Sequence, residues 1–481
     1  MIIPCYGLLP LAFTENLAWF NDEVLWKYFV IPILLGGAVY FTVRSRGVQF
    51  RMLPEMFRMF RESGRKEGNK KEKHISSFQA FMVSLAGRVG TGNLAGVATA
   101  IALGGPGAVF WMWVMATLGA ATSFTECTLA QLYKVRSKDS YVGGPAYYIR
   151  KGLKSKWLAV VVAFLIILTF GFAINTVQSN TIADAMHGAF GLDPMWGGVI
   201  LAGLTLLIIF GGIQRIAKVS GVIVPVMAVA YIIVALYVVI TNLNHIPDVF
   251  RMIVDSAFGI RQAVGGTLGM AVIMGMKRGL FSNEAGMGSS PNVAATAQVS
   301  HPVKQGLVQA LGVYTDTLLI CSCTAFIILL SGVYTGSPEV EGVQLTQQAM
   351  NSQLGSFGSP FIAVIIFFFA FSTIFGNYYY GEANLRYITD KKWAMTLYRL
   401  LVGGIVMFGA VAGLRTVWNL ADITMGFVTI FNMIAVILLC RQAYYLLGDY
   451  RSQKKRGIKS PEFRKDSVPD GIINKDEIEC W

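Results

Sequence analysis

Charge is scarce in this sequence. Only 14% of its 481 residues are Asp, Glu, Lys or Arg, and only four are histidine. No two of those histidines stand at metal-ligand spacing. The six cysteines (Cys5, Cys127, Cys321, Cys323, Cys440, Cys480) form no CxxC pair, and four lie in or beside apolar runs, which argues against a disulfide framework or a zinc site. A metalloenzyme has no ligands to start from, and no cofactor is expected. The first 20 residues also lack the basic region and small-residue cleavage site of a secretory signal.

What fills the space is apolar. Hydrophobic residues make up 54% of the chain, and glycine alone accounts for 51 positions. Several runs reach the ~20 apolar residues that a bilayer crossing needs. The chain therefore reads as an all-α polytopic membrane protein of about eleven transmembrane helices, near 24–43, 77–103, 107–133, 158–186, 196–211, 217–241, 262–286, 306–330, 360–382, 394–414 and 418–446. The net charge of +13 invites a nucleic-acid reading, but the cations alternate with the spans. Ten Lys or Arg follow the first span, seven lie near 134–156, and Arg215, Lys218, Lys304, Arg386, Lys391 and Lys392 continue the series on the same side. The opposite connections hold little beyond Arg251, Arg261 and Arg415. The positive-inside rule then puts the amino terminus outside and the carboxyl terminus in the cytoplasm. In the basic stretch, Met52, Leu53, Met56, Phe57 and Phe60 recur at helical spacing, as in an amphipathic helix lying on a membrane surface.

Glycines interrupt two of the spans. In Ser84-Leu-Ala-Gly-Arg-Val-Gly-Thr-Gly-Asn93, Gly87, Gly90 and Gly92 fall beside polar Arg88, Thr91 and Asn93. Each glycine costs a helix ~1 kcal/mol relative to alanine, so the helix is expected to open there. Gly265, Gly266, Gly269, Gly275 and Gly279 interrupt the seventh span. Without the first span, ten remain as five and five, and an odd number makes the halves inverted. Paired breaks in inverted halves point to a transporter's binding site. The organisation expected is an outer tail (1–23), an extra helix (24–43), a basic linker (44–76), two repeats (77–241 and 242–446) and a cytoplasmic tail (447–481), the last read as solvated.

The motifs also resemble a family. Gly90-Thr-Gly-Asn93 with the following Ala-Gly-Val-Ala-Thr-Ala-Ile, Ala102-Leu-Gly-Gly-Pro-Gly-Ala-Val-Phe-Trp-Met-Trp, Gly143-Gly-Pro-Ala-Tyr-Tyr-Ile149 and Arg278-Gly-Leu-Phe-Ser-Asn-Glu-Ala-Gly-Met-Gly-Ser289 are similar to those of the sodium:alanine/glycine symporters. The resemblance implies the 5+5 inverted-repeat fold of the bacterial leucine transporter with one extra amino-terminal helix. It implies Na⁺-coupled uptake of a small neutral amino acid, alanine or glycine, across a bacterial or archaeal plasma membrane by a monomer. Glutamine-transporting members leave a glutamine or serine symporter, coupled to Na⁺ or H⁺, as the alternative. A channel would want a continuous polar pore, and an enzyme a nucleophilic or acid–base constellation. Neither is legible.

Freed amides at Gly90, Thr91 and Gly92, at the positive end of the following half-helix, suit a substrate carboxylate. Asn93 either ligates an ion or holds the turn. Met274, Gly275 and Met276 are expected to face the site from the second break. Asn175 and Gln178 either line the cavity or bond between helices. For Na⁺, Ser372 and Thr373 lie three and four residues beyond Phe369, so its carbonyl falls near both hydroxyls. The resemblance adds the carbonyls of Ala86 and Val89. Intramembrane charges are functional hypotheses by default. Glu126 is expected to brace a broken helix, and Arg88 to pair with Glu126 or Glu284 or reach a vestibule. Lys277, Arg278 and Glu284 are expected to form an inner gate, and Asp316 a structural or relay group.

Overall fold

The computed structural model describes residues 16–63, 75–137, 140–259, 268–334, 342–469 and 471–481. Its helices, in chain order, begin with α1 (Asn16–Arg44), α2 (Leu53–Ser63), α3 (Ser77–Arg88), α4 (Gly92–Gly104) and α5 (Gly107–Leu132). Next come α6 (Pro145–Gly152), α7 (Lys156–Phe190), α8 (Pro194–Ile209), α9 (Gly212–Thr241) and α10 (Ile246–Ala257). The second half holds α11 (Leu268–Asn283), α12 (Ser290–Ala294), α13 (Pro302–Leu330), α14 (Val343–Leu354), α15 (Gly358–Ile388), α16 (Lys392–Val411) and α17 (Leu414–Lys455).

Among the described residues, eight helices are long and apolar enough to cross a membrane on their own. Two of the other expected spans coincide with the interrupted pairs α3/α4 and α11/α12. The third is α8, whose 16 residues fall short of the ~20 that a straight crossing needs.

Local chemistry sets the ends that matter. A capping box starts α3: the Ser76 hydroxyl accepts from the Gln79 amide at 3.1 Å, and the Gln79 carboxamide accepts from the Ser76 amide at 3.0 Å. The helix stops at Arg88, where Val89 turns extended with φ −79° and ψ 93°. The second interruption runs from Glu284 to Ser289, between α11 and α12. Gly286 (φ +94°) and Gly288 (φ +77°) take conformations there that side chains resist, and Glu284 (φ +56°) takes one too.

That location corrects an expectation. Met274, Gly275 and Met276 lie in an unbroken stretch of α11, whose glycines serve packing: a Cβ on Gly275 would run into the Ala108 carbonyl and Trp111 of α5. Glycine spacing alone cannot tell a close helix contact from an opening. Gly265 and Gly266 lie outside the described residues.

α5 packs against α13 and α11, and α7 against α15 and α16, while α3 leans on α9 and α15. The half-helices α3 and α4 thus sit wholly inside the bundle, with residues 79–102 almost all buried. Two peripheral segments also differ from expectation. α2 turns Met56 and Met59 into the protein and sets Phe60 edge-on to Phe81 and tilted against Phe78 of α3, so its apolar face is spent on α3 and α13 as well as on any lipid. The carboxyl-terminal tail, read as solvated from its charge, buries Phe463, Val468, Ile473 and Ile478. Those apolar residues are spaced too widely to read as an element.

Candidate functional site

The opened turn after α3 is stabilised by side chains rather than left bare. The Gly90 amide donates to Asn93 Oδ1 at 2.8 Å. The amide and hydroxyl of Thr91 both donate to Gln178 Oε1 of α7, at 2.9 and 2.7 Å. Two of the three amides expected to be free are therefore satisfied, as buried backbone donors must be, and Asn93 holds the turn. Gln178 Oε1 rests where two donors converge beside a half-helix start. That is the position a carboxylate oxygen would favour.

The two interruptions meet through one carboxylate. Asp316, on α13, accepts from Asn93 Nδ2 at 2.6 Å with Oδ1. Its Oδ2 accepts from the hydroxyls of Ser282 at 2.7 Å and Thr317 at 2.8 Å. Asn93 flanks the first break and Ser282 precedes the second, so Asp316 ties both to one group. Close by, Gly92 faces α11 without clearance. A Cβ there would sit 3.0 Å from Phe281 Cδ1 and 3.1 Å from Ser282 Cα. Phe281 in turn packs on Trp418 with ring centroids 4.7 Å apart.

On the other flank, α15 brings oxygens to the same turn. Thr373 Oγ1 lies 2.8 Å from the Ala86 carbonyl, 3.2 Å from that of Val89 and 3.0 Å from that of Phe369. Ser372 Oγ donates to the Phe369 carbonyl at 2.8 Å. A hydroxyl carries one proton, so Thr373 can satisfy only one of three converging carbonyls. With the Ser372 hydroxyl on Phe369, two protons face three carbonyls and a surplus of acceptors remains. Hard oxygens gathered without enough donors are the ligand set of a small hard cation. All five residues expected for Na⁺ are thus brought together.

The charges are placed less as expected. Arg88 is buried, but it is held by neutral acceptors: the Gln309 carbonyl at 3.0 Å, Ser123 Oγ at 3.1 Å and Ser290 Oγ at 2.5 Å. It reaches neither Glu126 nor Glu284 as an ion pair. Its guanidinium points away from the Thr373 oxygens, toward α5, α12 and α13, which removes the repulsion that a cation in the opened turn would exert on Na⁺. Glu126 braces the second break, accepting from the Gly286 amide at 3.3 Å and from Asn432 Nδ2 at 3.0 Å. Asn175 bonds within its own helix to the Gly171 carbonyl and receives Asn377 of α15. It joins helices, while its neighbour Gln178 reaches the opening.

Lys277 and Arg278 form a gate-like network without Glu284. Lys277 Nζ sits 2.6 Å from Asp22 of α1 and 2.7 Å from Asp422 of α17. Arg278 Nη2 shares Asp422 at 2.7 Å, with its guanidinium 4.2 Å over Trp418. Asp22 lies near the start of α1 and Asp422 near the start of α17. The network therefore lies toward the ends of α1 and α17 opposite those that lead into the basic connections. Chain distance hid the partners: neither Asp22 nor Asp422 is near 277 in sequence. Two aspartates flanking otherwise apolar spans were the available signal.

A sequence profile of the sodium:alanine symporter family matches residues 11–465. The amino-acid carrier protein AlsT of Bacillus subtilis is 50% identical over 98% of both chains. The probable sodium/glutamine symporter GlnT of the same organism is 49% identical over 97% of this chain and 96% of its own. The sodium/alanine symporter AgcS of Methanococcus maripaludis is 39% identical over 87% and 93%. Among solved structures, a manganese transporter of Eremococcus coleocola superposes with a TM-score of 0.50 at 15% identity over 81% of each chain, a likeness of fold alone.

Proposed function

The chain belongs to the sodium:alanine symporter family, and on that premise we propose that it carries a small neutral amino acid, alanine or glycine, inward together with Na⁺. The observation that carries the reading is the convergence of three carbonyls and two hydroxyls of α3 and α15 around Thr373.

In this reading Na⁺ enters as a co-substrate held by Ala86, Val89, Phe369, Ser372 and Thr373. Its charge offsets the surplus of acceptor oxygens and fixes the opened turn. The substrate carboxylate takes the donors of Thr91 that Gln178 now occupies, displacing a neutral oxygen with a charged one. Its ammonium turns toward Asp316 and nearby carbonyls, and its side chain toward Gly92, Phe281 and Trp418. The contact of Gly92 with Phe281 and Ser282 leaves no room for a large side chain beside it, which favours a small substrate. The basic face is assigned to the cytoplasm, with eleven crossings, so the Lys277–Asp422–Arg278 network acts as the outer gate. An inside-negative potential adds ~2.3 kcal/mol per charge per 100 mV to inward movement. The likeness to a probable glutamine symporter supports the second reading, a longer carboxamide in the same site.

Uptake of labelled alanine and glutamine into proteoliposomes, with and without an inward Na⁺ gradient, tests the proposal. Na⁺-dependent alanine uptake that excess glutamine barely suppresses is expected. Glutamine preference would keep the coupling and reassign the pocket, whereas uptake indifferent to Na⁺ would overturn the ion site. A milder probe is Gly92→Ala. Its methyl presses on Phe281, which can yield, and on the Ser282 backbone, which cannot. Overpacking of this kind costs about 1–3 kcal/mol, so KM for alanine is expected to rise about tenfold with little change in the amount of folded protein. An unchanged KM would move the side-chain pocket away from Gly92.

A further inference from the structure

The tail beyond α17 is bound, not loose. Phe463 donates its amide to the Ser300 carbonyl at 2.9 Å, Ser300 Oγ donates to the Pro461 carbonyl at 2.9 Å, and Lys304 Nζ reaches Ser460 Oγ at 2.7 Å. At the very end of the chain, Trp481 Nε1 donates to the Gln131 carbonyl at the close of α5, at 2.9 Å. Lys134 Nζ lies 4.4 Å from the centre of the Trp481 ring and 4.3 Å from that of Tyr141. Glu479 pairs with Lys151 of α6 at 2.5 Å. The segment 466–481 carries five acids (Asp466, Asp470, Asp476, Glu477, Glu479) against one lysine, and of these Glu479 meets Lys151.

What the tail grips is the seam on this face. Residue 75, two positions before α3, bridges to Ala297, and the Gln298 amide donates to the Ile75 carbonyl at 3.1 Å. Ser77 Oγ donates to Gln305 Oε1 at 2.6 Å. The segment from 297 to 305, the loop before α13 and its first turn, is thus the jamb against which the start of α3 closes. Gln131, beside the Trp481 contact, binds the same loop through the Ala297 carbonyl at 3.0 Å. By holding Ser300, Lys304 and the end of α5, the tail anchors that jamb to α17 and α6.

We propose that residues 457–481 are an intramolecular latch, an acidic strap ending in Trp481 that holds the cytoplasmic side of the transporter shut. α3 cannot swing from its jamb without working against a segment that ties the jamb to three other elements. Removing the strap shifts the equilibrium toward the state open on this side. The inference goes beyond the transport reading and does not depend on which amino acid is carried.

The test reads the opening directly. Ser84 is fully buried on α3, one turn before the break, so a cysteine at Ser84→Cys reacts with maleimide only when α3 moves out. Labelling at that position is followed by mass spectrometry in purified full-length protein, with the native cysteines in place, and in a chain ending at residue 456. Loss of one to two kcal/mol of closure is a factor of about 5–30, so labelling of the shortened chain is expected to accelerate by about that factor. Trp481→Ala is expected to give part of the increase while keeping the chain length. Glu479→Lys speeds labelling, and its combination with Lys151→Glu slows it again. Equal rates in the full-length, shortened and Trp481→Ala proteins would overturn the latch. If the shortened chain does not fold, the Trp481→Ala and charge-swap rates decide in the same way.

Discussion

Thr373→Val is expected to leave a folded transporter that no longer responds to Na⁺ in the physiological range. Valine matches threonine in shape and stays within the apolar volume of α15, so packing around Phe369 and Ala86 is kept. What disappears is the one oxygen common to the Ala86, Val89 and Phe369 carbonyls. In the ion-free protein those carbonyls lose their shared donor, and in the bound state Na⁺ loses a ligand. A buried hydrogen bond or ligand to a charge contributes about 1.5–3 kcal/mol, which at 1.4 kcal/mol per tenfold is a rise of roughly 10–100-fold in the Na⁺ concentration for half-maximal uptake. Thr373→Ser restores the hydroxyl and is expected to recover most of the dependence. Uptake measured across a Na⁺ series decides the matter: wild-type Na⁺ dependence in the valine variant would put the coupling ion elsewhere.

The α15 half of that proposed site was legible in the sequence because it is local, whereas the Ala86 and Val89 carbonyls, 287 and 284 residues from Thr373, were expected only from the family resemblance. Phe369, Ser372 and Thr373 share one face of a helix by spacing alone, and the opening at Val89–Gly90 follows from glycines beside polar residues. The second opening was misread for a related reason. Five glycines precede it, and of these Gly275 and Gly279 let α11 lie close to α5, as the clash of a Gly275 Cβ with Ala108 demonstrates. The real break falls at Glu284–Ser289, inside a motif whose residues were recognised and whose geometry was not. Partnerships across the fold were the least readable. Arg88 looked as if it needed a carboxylate, but three neutral oxygens from distant segments satisfy it. Lys277 found its partners 255 and 145 residues away in sequence, at Asp22 and Asp422. Periodicity and composition report what one helix does to its own face. They carry little about which helix lies opposite.

Asp316 is where this cross-fold information matters most to function, and Asp316→Asn tests it. A carboxylate is acceptor only, and this one receives three donors: Asn93 Nδ2 on one oxygen, and the Ser282 and Thr317 hydroxyls on the other. Asparagine must turn an NH₂ toward one set. If it faces Asn93, donor meets donor; if it faces the hydroxyls, both must rotate into acceptors and find new partners among buried atoms. Either way at least one buried hydrogen bond to a charge is lost, and with it the common tether of the two breaks. Transport is expected to fall at least tenfold, by the same per-bond magnitude, with folded protein recovered in similar amount. Coupling separates this from a local packing defect. Asn93 and Ser282 share Asp316, and more weakly Cys321 Sγ at 3.3 and 3.1 Å, so Asn93→Ala and Ser282→Ala are expected to be non-additive in the wild-type background, as partners in one network are. In the Asp316→Asn background the coupling is expected to shrink to what the Cys321 contacts carry. Additivity in both backgrounds would reduce Asp316 to a brace for one helix and leave the coordination of the two openings to the backbone.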